Sequence, residues 1–220
     1  MKTAAAKLSK RDAVLDAATQ LFALQGYENT EVDAIAATAG VAKGTIYFHF
    51  QTKEKLFLAV ADYGMRRLSE HILKSMEGLT DIVEVLRTAG VQAAGFFQKH
   101  PELVEILLQE RAQFRGSIPD THLLYREKNR HIFEPLVQQG VEQGIFRDID
   151  VSEALTMGAN MLFGLVVTSC VEGRSKDIKR RARFAVDLWL SAVLASPRES
   201  MSRLLDEEVD RRRHPCTPPQ

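Results

Sequence analysis

The sequence predicts an all-α protein, with an N-terminal three-helix unit of helix-turn-helix form followed by a larger helical bundle. Three observations carry this. Apolar residues recur at helical spacing through most of the 220-residue chain. Gly 13 and Pro 7 together fall below the usual roughly 12% of chain breakers. No stretch alternates with the period of two that a half-buried strand needs. With 45% apolar and 26% charged residues, the composition is that of a globular chain and excludes disorder for most of it.

Residues 10–25 read as the first helix, with Val14, Ala18 and Leu21 on one face and Arg11, Asp12, Asp16 and Gln20 opposite. Gly26 ends it. Thr30, Glu31, Val32 and Asp33 have the form of a capping box, with the Thr30 hydroxyl expected to accept from a free N–H. A short helix through Val32, Ile35, Ala36 and Ala39 follows. Gly40 turns the chain, Val41 plugs the turn, and a second short helix occupies about 43–48. Helix, glycine turn, helix is helix-turn-helix spacing.

Thr52 is a natural N-cap for a helix over about 53–75, whose inner positions are Leu56, Phe57, Val60, Ala61, Met65 and Leu68. Gly78 breaks it, and Ile82, Val85, Leu86, Ala89, Ala93, Phe96 and Phe97 carry the next helix through 80–99. Pro101 opens another through Leu103, Ile106, Leu107 and Phe114. After a loop marked by Gly116 and Pro119, a long helix runs to about 143, with a kink expected near His131 from Pro135. Asp150 to Glu153 form a cap signature for a helix over 151–171 that is apolar nearly all round. There Gly158, Ala159 and Gly164 would let another helix approach. A last helix covers about 176–195 and Pro197 ends it. An amphipathic piece around Met201, Leu204, Leu205 and Val209 leads into a tail expected to be partly disordered. The expected division is 1–52, 53–196 and a tail over 197–220.

Lys+Arg 29 balance Asp+Glu 29, a formal charge of zero that argues at first against a nucleic-acid partner. The total hides a pattern. Residues 1–11 carry Lys2, Lys7, Lys10 and Arg11 without an acid, 12–42 carry five acids without a base, and 43–55 carry Lys43, Lys53 and Lys55 against Glu54. Two basic islands therefore flank an acidic stretch, and neutrality overall limits nonspecific affinity.

Enzyme readings find no support. Cys170 and Cys216 make neither a disulfide framework nor a zinc site. His100, His122 and His131 lack metal-ligand spacing, and there is no phosphate loop or nucleophile elbow. No catalytic residue, metal or cofactor is expected. The longest uninterrupted apolar run, 161–167, is far shorter than the ~20 residues that span a bilayer, and the N-terminus has no apolar leader. A soluble cytoplasmic protein without a membrane partner is the expectation.

The string Ala17-Ala18, Leu21-Phe22, Gly26-Tyr27, Thr30, Val32, Ile35-Ala36, Ala39-Gly40-Val41, Lys43-Gly44-Thr45-Ile46-Tyr47, His49-Phe50, Lys53-Glu54, Leu56 resembles the TetR family of transcriptional regulators. The resemblance covers 11–58, and the rest of the chain matches in helix number and length. It implies a DNA-binding head and a C-terminal bundle for ligand binding and dimerisation. A recognition helix needs an apolar inner face and an outer face that reaches bases and phosphates. Val41, Ile46 and Phe50 form the inner set. Lys43, Thr45, Tyr47 and His49 lie outside, Gly44 permits close backbone approach, and Lys53 sits at a helix N-terminus suited to a phosphate. The resemblance implies DNA contact at these positions and at Thr30, with Phe48 against a thymine methyl.

A head this small reads few base pairs, so a homodimer on a double-stranded, palindromic operator is expected, paired through the last two long helices. Residues 56–147 would hold a small apolar or amphipathic ligand. Gln92, Arg111, Asn129 and Asn160 interrupt apolar stripes there, and Phe96, Phe114, Tyr125, Phe133 and Phe163 supply aromatic lining. The stretch from Glu110-Arg111 to Phe133 loosely resembles the acyl-CoA-responsive branch of the family, which implies a fatty acyl-CoA as inducer. The function expected is that of a repressor released by its ligand. The alternative is the same scaffold on DNA acting through a protein partner, without a small-molecule inducer.

Overall fold

The computed structural model describes residues 9–115 and 120–195. Its elements are α1 (Lys10–Gln25), α2 (Val32–Ala39), α3 (Lys43–Phe50), α4 (Lys53–Met76), α5 (Ile82–Lys99), α6 (Pro101–Gln113), α7 (Thr121–Glu142), α8 (Val151–Val171) and α9 (Ile178–Val193). One 3-10 turn, Ser175–Asp177, precedes α9, and a single isolated bridge pairs Phe146 with Leu194. The fold is all-α, as the periodicity predicts. Lys2, Lys7, the Gly116–Pro119 loop markers, Pro197 and the tail around Met201 to Val209 lie outside the described residues.

Local chemistry explains most of the boundaries. Ser9, Thr52, Asp81 and Asp150 each cap a helix by accepting from the backbone N–H three residues on. Gly40 ends α2 in the left-handed region at φ 66°, where a Cβ would be costly. Helix α7 runs unbroken through Pro135.

Thr30 differs from its expected role. The chain enters α2 through Glu31, so Thr30 lies one residue too early to cap it. Its side chain is buried, and its single hydroxyl proton is donated back to the Gly26 carbonyl at 2.7 Å, with the Leu21 carbonyl next nearest at 3.2 Å. It closes the end of α1 rather than opening α2.

Three apolar clusters hold the molecule. The head core joins Val14, Leu15 and Phe22 of α1, Ile35 of α2, and Ile46 and Phe50 of α3 to Leu56, Phe57 and Val60 of α4. Ile106 of α6, fully buried, completes it. A second cluster gathers Met65 and Leu68 of α4 with Phe97, Leu103, Val104, Val166 and Ile178. The third packs Leu86, Val137, Phe146, Val186 and Leu190. Helices α5 and α9 meet closely because position 90 is glycine: a Cβ there would fall 2.7 Å from Val186 Cγ2. Arg87 clamps the same pair, with Nε 2.7 Å from Asp187 Oδ1.

Helix α8 is the exception to burial. Of its 21 residues only Val166 and Ser169 are buried. Val171, at 76% exposure, and Met157 face outward, as do Phe184, at 72%, and Leu188 of α9. The two glycines of α8 have separate roles. Gly158 lies under the Trp189 ring of the same chain, whereas a Cβ at Gly164 would meet open space. Counting uninterrupted apolar residues also understated α8. An 18-residue window of it has a mean hydropathy of 1.7, and the helix is long and apolar enough by length and composition to cross a membrane. Small and hydroxyl residues broke the run without making the helix polar.

Thr30→Val keeps the volume but removes the hydroxyl's donated hydrogen bond, which should cost about 1 kcal/mol. Thermal unfolding should show a Tm about 2–4 °C lower; an unchanged Tm would show that the hydroxyl does not stabilise the end of α1.

Candidate functional site

Helix α3 is anchored on one side and bare on the other. Ile46 and Phe50, one turn apart, are buried in the head core, with Val41 half-buried beside them. Lys43, Gly44, Tyr47, Phe48 and His49 are exposed and Thr45 is half-exposed. Phe48 is 82% exposed, an unusual state for a phenylalanine without an external partner. A Cβ at Gly44 would meet nothing within 4 Å, so no neighbour in the chain requires glycine there.

The basic groups around α3 are held rather than loose. Lys43 Nζ lies 2.7 Å from Asp33 Oδ2, and that hydrogen bond pushes its pKa up. Lys53 Nζ donates to the Glu28 carbonyl at 3.0 Å and sits 4.8 Å from the Tyr27 ring centroid. The Arg11 guanidinium lies over the Phe50 ring at 5.4 Å. Thr30 is absent from this surface, since its side chain is buried and committed to α1 carbonyls.

The link from α3 to α4 was not legible in advance. Gln51 has φ 64° and ψ −46°, and the Thr52 N–H donates to the Phe50 carbonyl at 2.7 Å. This is a γ-turn of the rare positive-φ kind, a conformation that costs of order 1–3 kcal/mol. It fixes the angle of α3 against α4. Helix α6 supplies a second tie. Gln109 Nε2 donates to the Phe22 carbonyl at 2.9 Å, and Phe114 packs on Tyr27 and Phe57 with centroids 5.3 and 5.8 Å away.

Beyond the head, a cavity of about 280 Å³ lies between α4, α5, α7, α8 and α9. Its walls are mostly apolar, with Met65, Leu68, Phe97, Leu162 and Val186 among them. Five residues expected at a ligand site line it: Tyr125, Asn129, Phe133, Asn160 and Phe163. Four do not. Phe114 belongs to the head core. Phe96 packs on the His71 and His100 rings, one position off the cavity-facing stripe of Ala89, Ala93 and Phe97. Gln92, four residues before Phe96, is off the same stripe on the same side. Arg111 is exposed at the end of α6, 3.5 Å from Asp120.

The sequence reading missed a basic stripe. His122, Arg126 and Arg130 also line the cavity, spaced four apart on α7 beside Tyr125, Asn129 and Phe133. That i, i+4, i+8 pattern was the available signal. The His122 ring stacks on Phe163 at 4.3 Å and 11°. Burial pushes its pKa down; the Asp120 charge opposes this, and the Arg126 charge adds to the lowering by less than Asp120 opposes it. The Tyr125 hydroxyl donates to Asp62 Oδ1 at 2.9 Å, and burial, then Asp62, push its pKa up to about 12. Arg126 Nη1 donates to Asn160 Oδ1 at 2.6 Å. Arg130 is bound by Glu127 at 2.9 Å and Glu134 at 3.0 Å, and also donates to Ser152. Among the described residues, no group of three or more His, Cys, Asp or Glu side chains is set to hold a metal.

An exposed, aromatic and basic helix on a glycine turn, fixed to a bundle that encloses a cavity, is the architecture of a helix-turn-helix regulator. The family model "Bacterial regulatory proteins, tetR family" matches residues 14–60. A transcriptional repressor of Mycobacterium tuberculosis, KstR2, is 30% identical over 152 residues, 65% of this chain and 72% of its own. The repressor NicS of Pseudomonas putida is 26% identical over 164 residues, 70% and 74% of the two chains. Among solved structures, the fatty acid degradation regulator FadR of Bacillus halodurans superposes with a TM-score of 0.68 at 26% identity, covering 81% of this chain and 97% of that one. The chain belongs to the TetR family: it is a DNA-binding transcriptional regulator and not an enzyme.

A neutral His122 inside the cavity has a linked consequence for stability. Its contribution is complete above the ordinary value of 6.5 and is lost as pH falls through the depressed value in the folded protein. Wild type should therefore lose Tm on acidification below pH 6.5 more steeply than His122→Gln. Parallel slopes would show that the imidazole carries no such penalty.

Proposed function

We propose that the chain is a ligand-released repressor that binds a palindromic double-stranded operator as a homodimer. One observation carries this reading: α4 packs Leu56, Phe57 and Val60 into the head core, and its Met65 and Leu68 line the cavity. Occupancy of the cavity and the placement of α3 are thus two properties of one helix. In this reading 1–52 read DNA and 53–196 bind ligand and a second copy.

Lys43, Thr45, Tyr47 and His49 contact DNA in this account, with Phe48 available to a thymine methyl. Gly44 lets the backbone approach. Lys43 exchanges Asp33 for a phosphate on binding, and Lys53 does the same with the Glu28 carbonyl. Two recognition helices must match successive major grooves about 34–36 Å apart, so a shift of α4 that alters their spacing releases the operator. The ligand is small and apolar or amphipathic. A fatty acyl compound, including an acyl-CoA, is the first candidate class, in keeping with the similarity to a fatty acid degradation regulator. The space left open among the bundle helices favours this reading over the same scaffold acting through a protein partner alone.

The second copy accounts for α8. Met157, Gly164, Thr168 and Val171 of α8 form one outward stripe, and Phe184 and Leu188 of α9 stand beside it. A helix apolar all round is normally buried, and pairing α8 and α9 with their mates would bury this one. A lipid partner is not needed to explain it.

Lys43→Ala and Tyr47→Ala should each weaken binding to a duplex selected from a random pool by roughly tenfold or more. Binding should also fall steeply with salt. If both variants bind like wild type by fluorescence anisotropy, α3 is not the reading helix. Separately, the double variant Phe184→Glu, Leu188→Glu should run as a folded monomer in light scattering; a persistent dimer would place the interface elsewhere.

A further inference from the structure

Resting on the ligand-binding reading above, we propose that the cavity selects a compact amphipathic carboxylate, an unesterified acid with an apolar tail. Its headgroup would sit against Arg126 and Asn160 at the wall formed by α7 and α8.

The charge distribution singles out Arg126. Arg130, one turn away, is neutralised by Glu127 and Glu134. Arg126 has only the neutral amide oxygen of Asn160, at 2.6 Å, and among the described residues no carboxylate lies within ion-pair distance of it. A guanidinium beside an apolar cavity without an acid attracts an anion, and its planar fork suits a carboxylate. Asn160 is exposed at the cavity's edge and gives its oxygen to Arg126, which leaves its amide N–H groups to donate to an anion entering there. His122 does not supply the charge. It is stacked on Phe163, and burial pushes its pKa down against the opposing charge of Asp120, so it meets the ligand as a neutral ring.

The rest of the cavity is built for a tail. Met65, Leu68, Phe97 and Val186 offer it no hydrogen bond. The volume of about 280 Å³ sits at the small end of the roughly 300–1,000 Å³ usual for ligand sites. A short acyl chain and its carboxylate suit that space. A coenzyme A thioester would have to leave its whole nucleotide outside, and it has no carboxylate for Arg126.

The test is calorimetric binding of decanoate, decanol and decanoyl-CoA to the full-length protein at pH 7.5, with wild type, Arg126→Gln and Arg126→Lys. Circular dichroism and light scattering check that each variant folds and keeps its oligomeric state. Wild type should bind decanoate at least tenfold more tightly than decanol or decanoyl-CoA. Arg126→Gln should bring decanoate and decanol to within about twofold, and Arg126→Lys should restore part of the preference. Equal binding of acid and alcohol by wild type would overturn the carboxylate assignment while leaving the cavity as a ligand site. So would tighter binding of the thioester. Failure of all three ligands to bind would overturn both. If Arg126→Gln breaks the dimer and leaves the acid preference intact, Arg126 serves the interface and the proposal falls.

Discussion

Helix α4 belongs to two cores at once, and the rest of the structure depends on that. Twenty-four residues make a rod of about 36 Å, long enough to run from the DNA head to the middle of the bundle. Leu56 and Phe57 are fully buried against α1 and α3, while Met65 and Leu68 form part of the cavity wall. Packed interiors do not deform smoothly, so a displacement at one end of such a rod moves the other. Two further ties remove slack: the γ-turn at Gln51 sets α3 against α4, and Ile106, Gln109 and Phe114 of α6 join the bundle to the head.

The same design explains why the molecule combines zero net charge with DNA recognition. Lys43, Lys53 and Arg11 gather around one helix, and their present partners are a surface carboxylate, a backbone carbonyl and an aromatic ring. These contacts keep the side chains extended near α3 and are weak enough to exchange for phosphates, since exposed ion pairs contribute only about 0–1 kcal/mol. Acids interleave with these bases: Asp33 pairs with Lys43 and Glu31 also acts on it, while Glu28 and Glu54 lie near Tyr27, on whose ring Lys53 rests. In the proposed homodimer, affinity would rest on the shape and spacing of two recognition helices more than on bulk charge, and the proposed pairing through α8 and α9 would be part of the reading mechanism.

Local pattern and tertiary placement were legible to different degrees. Helix periods, caps at Thr52 and Asp150, and the inner pair Ile46 and Phe50 follow from side-chain spacing, which one segment contains by itself. Thr30 shows the limit: the motif around it fits a capping box, but one residue of shift at the start of α2 turns its hydroxyl back to α1. The cavity shows it again. Phe96 and Phe97 are alike in sequence and both buried, and only the rotation of α5 against α9, set by Gly90 and Val186, decides which faces the cavity. Phe114 was assigned to the ligand because it follows α6 in a bundle segment, yet α6 ends inside the head. Arg126 was passed over because a charged residue on an amphipathic helix is normally on its solvated face; its value comes from the missing acid, a property of neighbours far apart in sequence.

The claim on which the account turns is that cavity occupancy sets operator affinity through α4. It is tested most directly by selecting a duplex from a random pool and measuring its affinity for the full-length dimer by anisotropy at fixed salt, with and without saturating decanoate. The account predicts binding at least tenfold weaker with the acid, and by reciprocity an equal loss of decanoate affinity on DNA. Decanoate that binds the cavity while operator affinity stays the same would contradict it.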